Sequence, residues 1–423
     1  MIGIKSLKGF NGINLKSEIV LNDLTIFMGD NSAGKSYIAI LIDRIINIEE
    51  DPLSFNHDDY YEIFDKKIEV HNIDSEKKDI SLYLEKKVLK DKFIPILENS
   101  LKVFFKNKVF ANLKLNRFDI KLVHNIDDVE INIKIDKIDT FYKIDVIFNM
   151  NNQKLQTGII SNNLDNKIII DHLLKMLSVF LINVSSGLKK SIYIPASRGG
   201  YLHTYQILGT FALSNLSKNI NNIDLPPWIL DFIIKLFIPP KTIIENEFAS
   251  FIENEILKGE VRIDTESNNI EFYVSKNKKI PLSLTSSSIS ELIPLVVLLK
   301  KGFVQKNNLL IIEEPEAHLD FKNKIKFVEL IKILMEHGIK ILITTHSEFI
   351  INELNIKILN NEIDFKKVAL YNFIKKAKKT NVFKVEIKKE GIDSDYINRY
   401  ISNQIERLNN AYKSLDNAED NKL

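Results

Sequence analysis

The stretch from Leu24 to Ser36 constrains the fold of this chain more than any other. Its sequence is L-T-I-F-M followed by G-D-N-S-A-G-K-S, so a short apolar strand opens into Gly29, four further residues, and Gly34-Lys35-Ser36. This spacing is typical of a loop whose bare backbone N–H groups surround phosphate, because glycine has no Cβ to block the approach. The apolar residues 37–45 predict a helix, and a helix N-terminus favours an anion.

The residues of this loop have distinct predicted roles. Lys35 is expected to reach the β- and γ-phosphates of a nucleotide, and Ser36 is expected to offer its hydroxyl to Mg²⁺. A glycine turn without a ligand is the alternative, but the strand before the loop and the helix after it favour phosphate binding. The other residues predicted to contact the nucleotide are Gly29, Asn31, Ser32, Ala33 and Gly34.

A pair of carboxylates ends a second apolar stretch. The four aliphatic residues 309–312 predict a strand buried on both faces, as in a parallel sheet, and Glu313 and Glu314 follow. Ionised groups at the edge of a core need a cation or hydrogen-bond donors, although a solvated strand end is the alternative. Because neighbouring side chains on a strand point in opposite directions, we predict different roles for the two. Glu314 is the predicted general base that orients water, and Glu313 the predicted member of the magnesium shell.

A histidine follows a third apolar stretch. Residues 339–343 predict another buried strand, and Thr344-Thr345-His346-Ser347 come directly after it. A lone histidine is more often a satisfied, partly buried side chain, but here His346 is a candidate donor to the γ-phosphate or to its attacking water. Ligands of open α/β sheets lie at the carboxyl ends of the strands. The phosphate loop, the carboxylates and His346 are therefore predicted to meet at one edge of a sheet.

Two further segments carry candidate residues with open alternatives. Ser286, Ser287 and Ser288 precede an apolar helix, whose free N–H groups and hydroxyls can bind phosphate from outside. The same serines are also good helix caps, and Ser288 with Glu291 would form a capping box. Arg198 follows a predicted strand and is equally well interpreted as a phosphate or partner contact and as an ordinary surface arginine.

Composition narrows the class of protein. The 423 residues are 45% hydrophobic, which is enough for a large core and two or three domains. The absence of cysteine excludes disulfides, thiolate metal sites and thiol nucleophiles. The first ten residues lack the apolar core of a signal peptide, and no run of roughly 18 apolar residues is present, so we expect a cytoplasmic protein without a membrane partner. The net charge of +2 favours neither the presence nor the absence of nucleic acid.

Taken together, the motifs resemble those of the ATP-binding-cassette (ABC) ATPase heads of the RecF, SMC and OLD type. The motifs are G-D-N-S-A-G-K-S, the serines before Glu291, I-I-E-E-P-E-A-H-L-D and T-T-H-S, in the order that this family has them. The resemblance covers about residues 1–44 and 193–373. It is strongest to the stand-alone AAA-family, RecF/OLD-like ATPases of prokaryotic anti-phage defence systems. It implies an α/β P-loop NTPase of ABC-ATPase type, with a mixed sheet, flanking helices and N-terminal antiparallel strands.

The resemblance assigns roles to particular residues. It identifies the Walker A loop (29–36), the Walker B pair (Glu313 and Glu314), the D-loop (with Asp320) and the switch histidine (His346). Residues 285–291 would form the signature motif, which binds the γ-phosphate of ATP held by the opposite protomer. The resemblance therefore implies ATP and Mg²⁺ as ligands, and a homodimer or higher homo-oligomer assembled around ATP.

The chain also departs from the family pattern. Ser288 stands where a glycine is usual, which predicts slow hydrolysis, and Glu313 replaces the commoner aspartate. Residues 195–198 look like the P-A-x-R segment of the stand-alone subgroup, in the place of the Q-loop. The insert after the first helix is too short and too weakly heptad-patterned for a long coiled coil. The residues after His346 are too few for a TOPRIM domain, so a nuclease is expected on another chain.

We predict an ATPase head from residues 1–48 and 191–390, an inserted α+β lobe over 49–190, and a C-terminal helix and tail over 391–423. The leading hypothesis is a Mg²⁺-dependent ATP hydrolase that dimerises around ATP and controls a separate nuclease or toxin in anti-phage defence or DNA maintenance. The alternative is an ATP-gated sensor or scaffold in which nucleotide binding assembles a complex. The absence of L-S-G-G-Q and the large insert disfavour a transporter ATPase. Duplex DNA is a candidate partner by analogy alone.

Overall fold

A seven-stranded mixed sheet forms the centre of the protein, which we describe from a computed structural model. The described residues are 3–49, 55, 63, 77–111, 115, 118–123, 126–138, 140–162, 166–218, 225–240, 242–265, 267–392 and 406–410. The strands in chain order are β1 Gly3–Lys8, β2 Ile13–Leu15, β3 Ile19–Val20, β4 Leu24–Gly29, β5 Lys77–Leu84, β6 Asp119–Val123, β7 Val129–Ile138, β8 Phe141–Met150, β9 Gln153–Ser161, β10 Lys190–Ile194, β11 Glu260–Ile263, β12 Ile270–Ser275, β13 Lys278–Ile280, β14 Asn308–Glu313, β15 Lys340–Thr345, β16 Val368–Lys376, β17 Lys379–Val385, β18 Ile387–Lys388 and β19 Gly391–Ile392.

Helices cover both faces of this sheet. The α-helices are α1 Lys35–Ile46, α2 Lys86–Val88, α3 Ile94–Phe104, α4 Asn166–Ser186, α5 Arg198–Lys218, α6 Pro227–Phe237, α7 Glu247–Phe251, α8 Ser287–Lys300, α9 Phe321–Glu336 and α10 Glu348–Leu359. Short π-helical segments adjoin α2, α3 and α7 at Leu89–Phe93, Phe105–Val109 and Ile252–Leu257.

The order of the central sheet is β10-β14-β15-β4-β16-β17-β2. The first five strands of this order run parallel, and β17 is antiparallel to β16. The register pairs Ile343 of β15 with Ile312 of β14 on one side and with Ile26 of β4 on the other. The carboxyl ends of these three strands therefore lie side by side, at the edge where open α/β sheets bind ligands.

Side chains that alternate along the central strands fill two separate cores. Phe27 and Leu342 join the core on the face covered by α1, α3 and α4, whereas Ile26 and Ile343 join the core beneath α5 to α10. Because both faces are covered, each strand needs apolar residues at consecutive positions. Each fully buried aliphatic side chain contributes about 1.5–3 kcal/mol relative to exposure.

Antiparallel strands surround this centre and complete the predicted α/β class. Strands β3, β1 and β6 form one sheet, and β5, β7, β8 and β9 form a second. The prediction of a mixed sheet with flanking helices and N-terminal antiparallel strands is confirmed. Strand β6, from the predicted inserted lobe, pairs with the N-terminal strand β1, and α4 packs against α1. The division of the chain at residues 48 and 190 stays a prediction.

Helix α4 is long and apolar enough to cross a membrane by length and composition. Residues 168–186 have a mean hydropathy of 1.7, but 67% of this window is buried inside the protein. Phe180 of α4 stacks on Phe148 of β8, with ring centroids 5.7 Å apart. We interpret α4 as a core helix, since buried core helices share this composition.

Two helical segments differ from the pattern of the sequence. Residues 241–257 look like one helix, but α7 begins at Glu247, where the Asn246 side chain accepts a hydrogen bond from the Ala249 amide at 3.0 Å. The sequence gives no clear signal for helix α6, because the two prolines at its start suggest a loop. The helix forms there because proline is favoured at the first helical position. The predicted C-terminal helix lies largely outside the described residues, of which 406–410 are helical.

Lys301, directly after α8, anchors the end of α6. Its Nζ donates hydrogen bonds to the backbone oxygens of Leu236 and Ile238, each at 2.7 Å, and to Asn268 Oδ1 at 2.9 Å. Burial lowers the pKa of Lys301 from 10.5 to about 8. The folded state therefore binds this proton less tightly than the unfolded state. The contribution of this group to stability is complete above pH 10.5 and is lost as the pH falls through about 8.

We predict that the wild type gains stability relative to Lys301→Met as the pH rises from about 7 to about 9.5. The reason is that the wild type progressively loses a buried charge, whereas methionine has none. Urea denaturation at each pH measures the difference. Lys322→Met, at an exposed lysine of α9, should show no such trend. A pH-independent difference for Lys301→Met would contradict the assignment.

Candidate functional site

The loop between β4 and α1 has the backbone geometry that the sequence predicts. Gly29 has φ 142°, and a Cβ at this position would lie 2.2 Å from the Phe373 carbonyl oxygen of β16. Gly34 is the N-cap of α1 with φ 92°, and Ser32 has φ 57°. The loop therefore presents backbone N–H groups at the start of a twelve-residue helix, a favourable position for an anion.

Lys35 lies within this loop. Its Nζ donates to the carbonyl oxygens of Gly29 and Asp30, both at 2.8 Å. Burial lowers the pKa of Lys35, while the nearby carboxylates of Glu314, Asp30, Glu316 and Glu313 act to raise it. The carboxylates after β14 thus lie within electrostatic range of the loop lysine. The two predicted halves of the site are brought together.

Glu313 and Glu314 take different environments at the end of β14. Glu313 is buried, and its Oε2 accepts a hydrogen bond from the Ala196 amide at 3.2 Å, while its Oε1 has no hydrogen-bond partner among the described residues. Glu314 has φ 41°, and its backbone amide donates to the backbone carbonyl oxygen of Thr344 at 2.9 Å. Its side chain is 34% exposed. One carboxylate is therefore directed inward and the other is accessible to water.

His346 lies beside these carboxylates. Its Nδ1 is 3.7 Å from Glu314 Oε1 and 3.9 Å from Glu316 Oε1. The imidazole is about half exposed, with 48% of the side chain accessible. A partly exposed imidazole next to a carboxylate can donate a hydrogen bond to an anion or exchange a proton.

Glu316 is a residue of this site to which the sequence motifs do not assign a role. Its side chain is 3% exposed, and Oε1 accepts hydrogen bonds from the Thr345 hydroxyl and, at 3.3 Å, from the His346 amide. Its Oε2 has no hydrogen-bond partner among the described residues. Glu316 thus joins the turn after β14 to the end of β15. The available signal was a third carboxylate within Glu313-Glu314-Pro315-Glu316.

The three serines at the start of α8 remain available for contacts outside the chain. Ser286 is the N-cap of α8, but its side chain makes no capping hydrogen bond, and its Oγ lies 3.0 Å from Ser288 Oγ. Ser286 and Ser287 are exposed and Ser288 is partly exposed. Glu291 does not complete a capping box, since its carboxylate faces Arg198 and the Gly199 amide. The start of α8 therefore keeps unused donors.

Arg198 has contacts that differ from the predicted nucleotide or surface role. It is 1% exposed. Its guanidinium donates from Nε to the backbone carbonyl oxygen of Glu291 at 2.7 Å and from Nη1 to the backbone carbonyl oxygen of Glu313 at 2.8 Å. Burial lowers its pKa, and Glu291 is the carboxylate that most opposes this. A guanidinium enclosed in this way serves internal contacts.

Asp320 caps the helix that follows the carboxylates. Its Oδ1 accepts a hydrogen bond from the Asn323 amide at 2.8 Å, and its Oδ2 one from Asn323 Nδ2 at 3.3 Å. It is therefore the N-cap of α9. A role for Asp320 at a nucleotide stays a prediction.

The residues present suit a magnesium ion that nucleotide phosphates help to hold. No group of three His, Asp or Glu side chains within the described residues forms a complete metal site. Mg²⁺ in nucleotide sites needs only one or two protein ligands, because phosphates and water supply the rest. The unpartnered Glu313 Oε1 and the exposed hydroxyl of Ser36 offer such ligands.

Comparison with known proteins supplies a family for this arrangement. A family model described as "AAA ATPase domain" matches residues 3–351. A search of the curated proteins finds no significant match.

Among solved structures, the chain is similar to three SMC heads. An SmcHead bound to the C-winged helix domain of ScpA has 13% identity and a TM-score of 0.39, with coverage of 91% of this chain and 98% of that chain. The SMC head domain from Thermotoga maritima has 14% identity and a TM-score of 0.34, with coverage of 91% and 98%. An Smc head with an extended coiled coil, bound to the C-terminal domain of ScpA from Pyrococcus furiosus, has 12% identity and a TM-score of 0.37, with coverage of 91% and 97%.

Two substitutions of Glu316 should separate hydrogen bonding from charge. Glu316→Gln keeps an acceptor for the Thr345 hydroxyl and the His346 amide, so we expect its free energy of unfolding to change by less than about 1 kcal/mol. Glu316→Ala leaves these groups without their partner and should cost about 1–3 kcal/mol. Urea denaturation measures both, with Glu336→Ala at an exposed position as the control. Equal losses for the two variants would show that the charge, and not the acceptor, stabilises this turn.

Proposed function

The chain belongs to the AAA ATPase domain family and is an ATPase of that type, and from that premise we propose that its ATP hydrolysis depends on Mg²⁺ and uses a site formed by residues 29–36, Glu313, Glu314 and His346. The observation that supports this most is that the carboxylates after β14 lie within electrostatic range of Lys35 and beside His346 after β15. Phosphoryl transfer needs a cation for the phosphate charge, a carboxylate to orient water and donors for the γ-phosphate. This edge of the sheet offers all three.

In this proposal each residue has one task. The loop amides and the Lys35 ammonium hold the β- and γ-phosphates, as Lys35 exchanges its bonds to Gly29 and Asp30 for phosphate oxygens. Glu314 accepts a proton from water as the water oxygen bonds to the γ-phosphorus and the bond to the β-γ bridging oxygen breaks. His346 donates a hydrogen bond to the departing phosphate.

Ser36 and Glu313 are the residues that would hold Mg²⁺. The bound ion would neutralise charge on the phosphate oxygens and so lower the barrier to attack. Glu313 is suited to this because its Oε1 is buried without a hydrogen bond among the described residues, next to a Tyr193 hydroxyl that is also without one, and a buried carboxylate oxygen in this state is costly.

We further propose that two copies of the chain close around ATP. The exposed serines at the start of α8, together with Asp320, would contact the nucleotide bound to the other protomer. Ser288, in the place of a glycine, limits how closely the backbone approaches phosphate and makes turnover slow. The unused donors at the helix start support this role.

The partner that such a dimer would control is a separate effector, a nuclease or toxin, in anti-phage defence or DNA maintenance. Duplex DNA is a further partner in this proposal, and the setting is the cytoplasm. The alternative is an ATP-gated scaffold, in which binding rather than turnover assembles a complex. Slow hydrolysis caused by Ser288 would favour the scaffold, because a scaffold needs nucleotide binding and not turnover.

Glu314→Gln tests the proposed general base. We expect hydrolysis to fall about 10²- to 10⁴-fold, because the amide cannot accept the proton from water. ATP should still bind, and the ATP-bound dimer should accumulate. Phosphate release and sedimentation velocity measure the two effects, and Glu336→Gln is the matched control. Effector activation that persists in Glu314→Gln identifies a scaffold, whereas unchanged hydrolysis would exclude Glu314 as the base.

Mixing two inactive variants tests the composite site. Lys35→Ala removes the phosphate-loop lysine, and Ser287→Arg blocks the exposed serine surface. If each site uses the loop of one protomer and the serines of the other, the heterodimer contains one complete site. An equimolar mixture should then recover about a quarter of wild-type hydrolysis, since half of the dimers are mixed and each has one of two sites. A mixture that stays inactive, with both variants folded, would exclude a shared site.

A further inference from the structure

Arg198 occupies a buried position between the serine motif and the carboxylate edge. Besides its bonds to the backbone oxygens of Glu291 and Glu313, its Nη1 donates to the Pro195 oxygen at 3.4 Å. Its Nε also lies 3.5 Å from Glu291 Oε2. One side chain thus contacts α8, the end of β14 and the turn before α5.

The chain around Arg198 is shaped to make these contacts. Ser197 has φ 55°, a left-handed conformation that turns the chain directly after Ala196, whose amide donates to Glu313. The Gly199 amide donates to Glu291 Oε1 at 3.2 Å. A Cβ on Gly199 would lie 3.0 Å from this same oxygen and 3.1 Å from Ser290 Cβ. A larger residue would therefore crowd Glu291 and Ser290 of α8.

The link joins Glu291 of the serine motif to Glu313 of the carboxylate edge, and both residues are buried. Glu313 is the proposed magnesium residue, and Glu291 is one helical turn from Ser287 on α8. Glu313 Oε1 and Glu291 Oε2 are both buried without a hydrogen-bond partner among the described residues. Glu291 Oε2 is held by its ion pair with Arg198, so a shift of Arg198 acts directly on the Glu291 carboxylate. A rearrangement at Glu313 reaches Arg198 through the Ala196 amide and the Glu313 carbonyl oxygen.

We propose that Arg198 and Glu291 position the serine motif that serves the opposite protomer, according to the state of Glu313 in their own protomer. Arg198 is then a positioning residue and not a nucleotide contact. The proposal rests on the ATP dimer proposed above. The proposal predicts that Arg198 and Glu291 affect hydrolysis of the nucleotide that is bound to the partner protomer. The phosphate loop of their own protomer remains able to bind and hydrolyse ATP.

Arg198→Lys tests this, because lysine keeps the charge but cannot donate from two nitrogens in a fixed plane. We expect ATP affinity within about twofold of the wild type and a turnover number reduced about 10- to 100-fold, as for a misplaced catalytic group. Titration with a fluorescent nucleotide measures the affinity, and steady-state hydrolysis measures the turnover number. The matched control is Arg262→Lys, at a partly exposed arginine that is paired with Glu260 at 2.7 Å and lies over the Tyr273 ring, and this variant should hydrolyse ATP like the wild type.

Mixing experiments determine which site Arg198 serves. If it positions the serines, Arg198→Lys recovers hydrolysis when mixed with Lys35→Ala and stays inactive when mixed with Ser287→Arg. The reverse result would mean that Arg198 serves its own nucleotide site and would overturn the proposal. Inactivity in both mixtures would overturn it as well. Failure of Lys35→Ala and Ser287→Arg to complement each other would instead reject the proposed dimer.

A second variant protects the test against a folding defect in Arg198→Lys. Glu291→Gln keeps Oε1 as an acceptor for the Gly199 amide and removes only the charge that faces Arg198. It should give the same pattern in the two mixtures, with Glu260→Gln as its exposed control. Thermal unfolding followed by circular dichroism identifies the variants that are folded. Wild-type turnover by folded Glu291→Gln would show that the charge pair does not position the serines.

Discussion

The parallel register of β14, β15 and β4 is the constraint on which the rest of the site depends. Thr344 pairs with Glu313 on one side and with Phe27 on the other, so the three strands reach the edge of the sheet together. A slip of one residue would turn every side chain to the other face and exchange the members of the two cores. The same burial that fixes the cores therefore directs Glu313 inward, whereas Glu314 follows the end of the strand with φ 41° and is accessible to water.

Charge at this edge is concentrated beyond what the fold alone requires. Several carboxylates lie around one lysine, and two of their buried oxygens, Glu313 Oε1 and Glu316 Oε2, have no hydrogen-bond partner among the described residues. Buried polar atoms without partners destabilise a folded protein. Clusters of this kind are typical of functional sites, where a ligand supplies what the protein lacks. A cation and a triphosphate would supply the missing partners together.

The sequence predicts those parts of the site that depend on local structure. The glycine spacing of residues 29–36 and the apolar strands before Glu313 and His346 are visible because each obeys a rule over a few residues. The contacts of Arg198 and Glu316 are not visible, because they depend on segments about a hundred and about thirty residues away. The pairing of β6 with β1 belongs to the same class, since no local pattern specifies a partner strand.

The use of Glu291 explains why the serine motif stays open. In a capping box the glutamate would return to the helix start and bind the backbone there, which would occupy donors at that end. Here its carboxylate faces inward, to Arg198 and the Gly199 amide, so the start of α8 is neither capped by Ser286 nor closed by Glu291. In an isolated protomer, water satisfies the donors of this exposed helix start. In the proposed dimer, phosphate from a second protomer would replace this water, and the inward glutamate would couple the contact to Glu313 through Arg198.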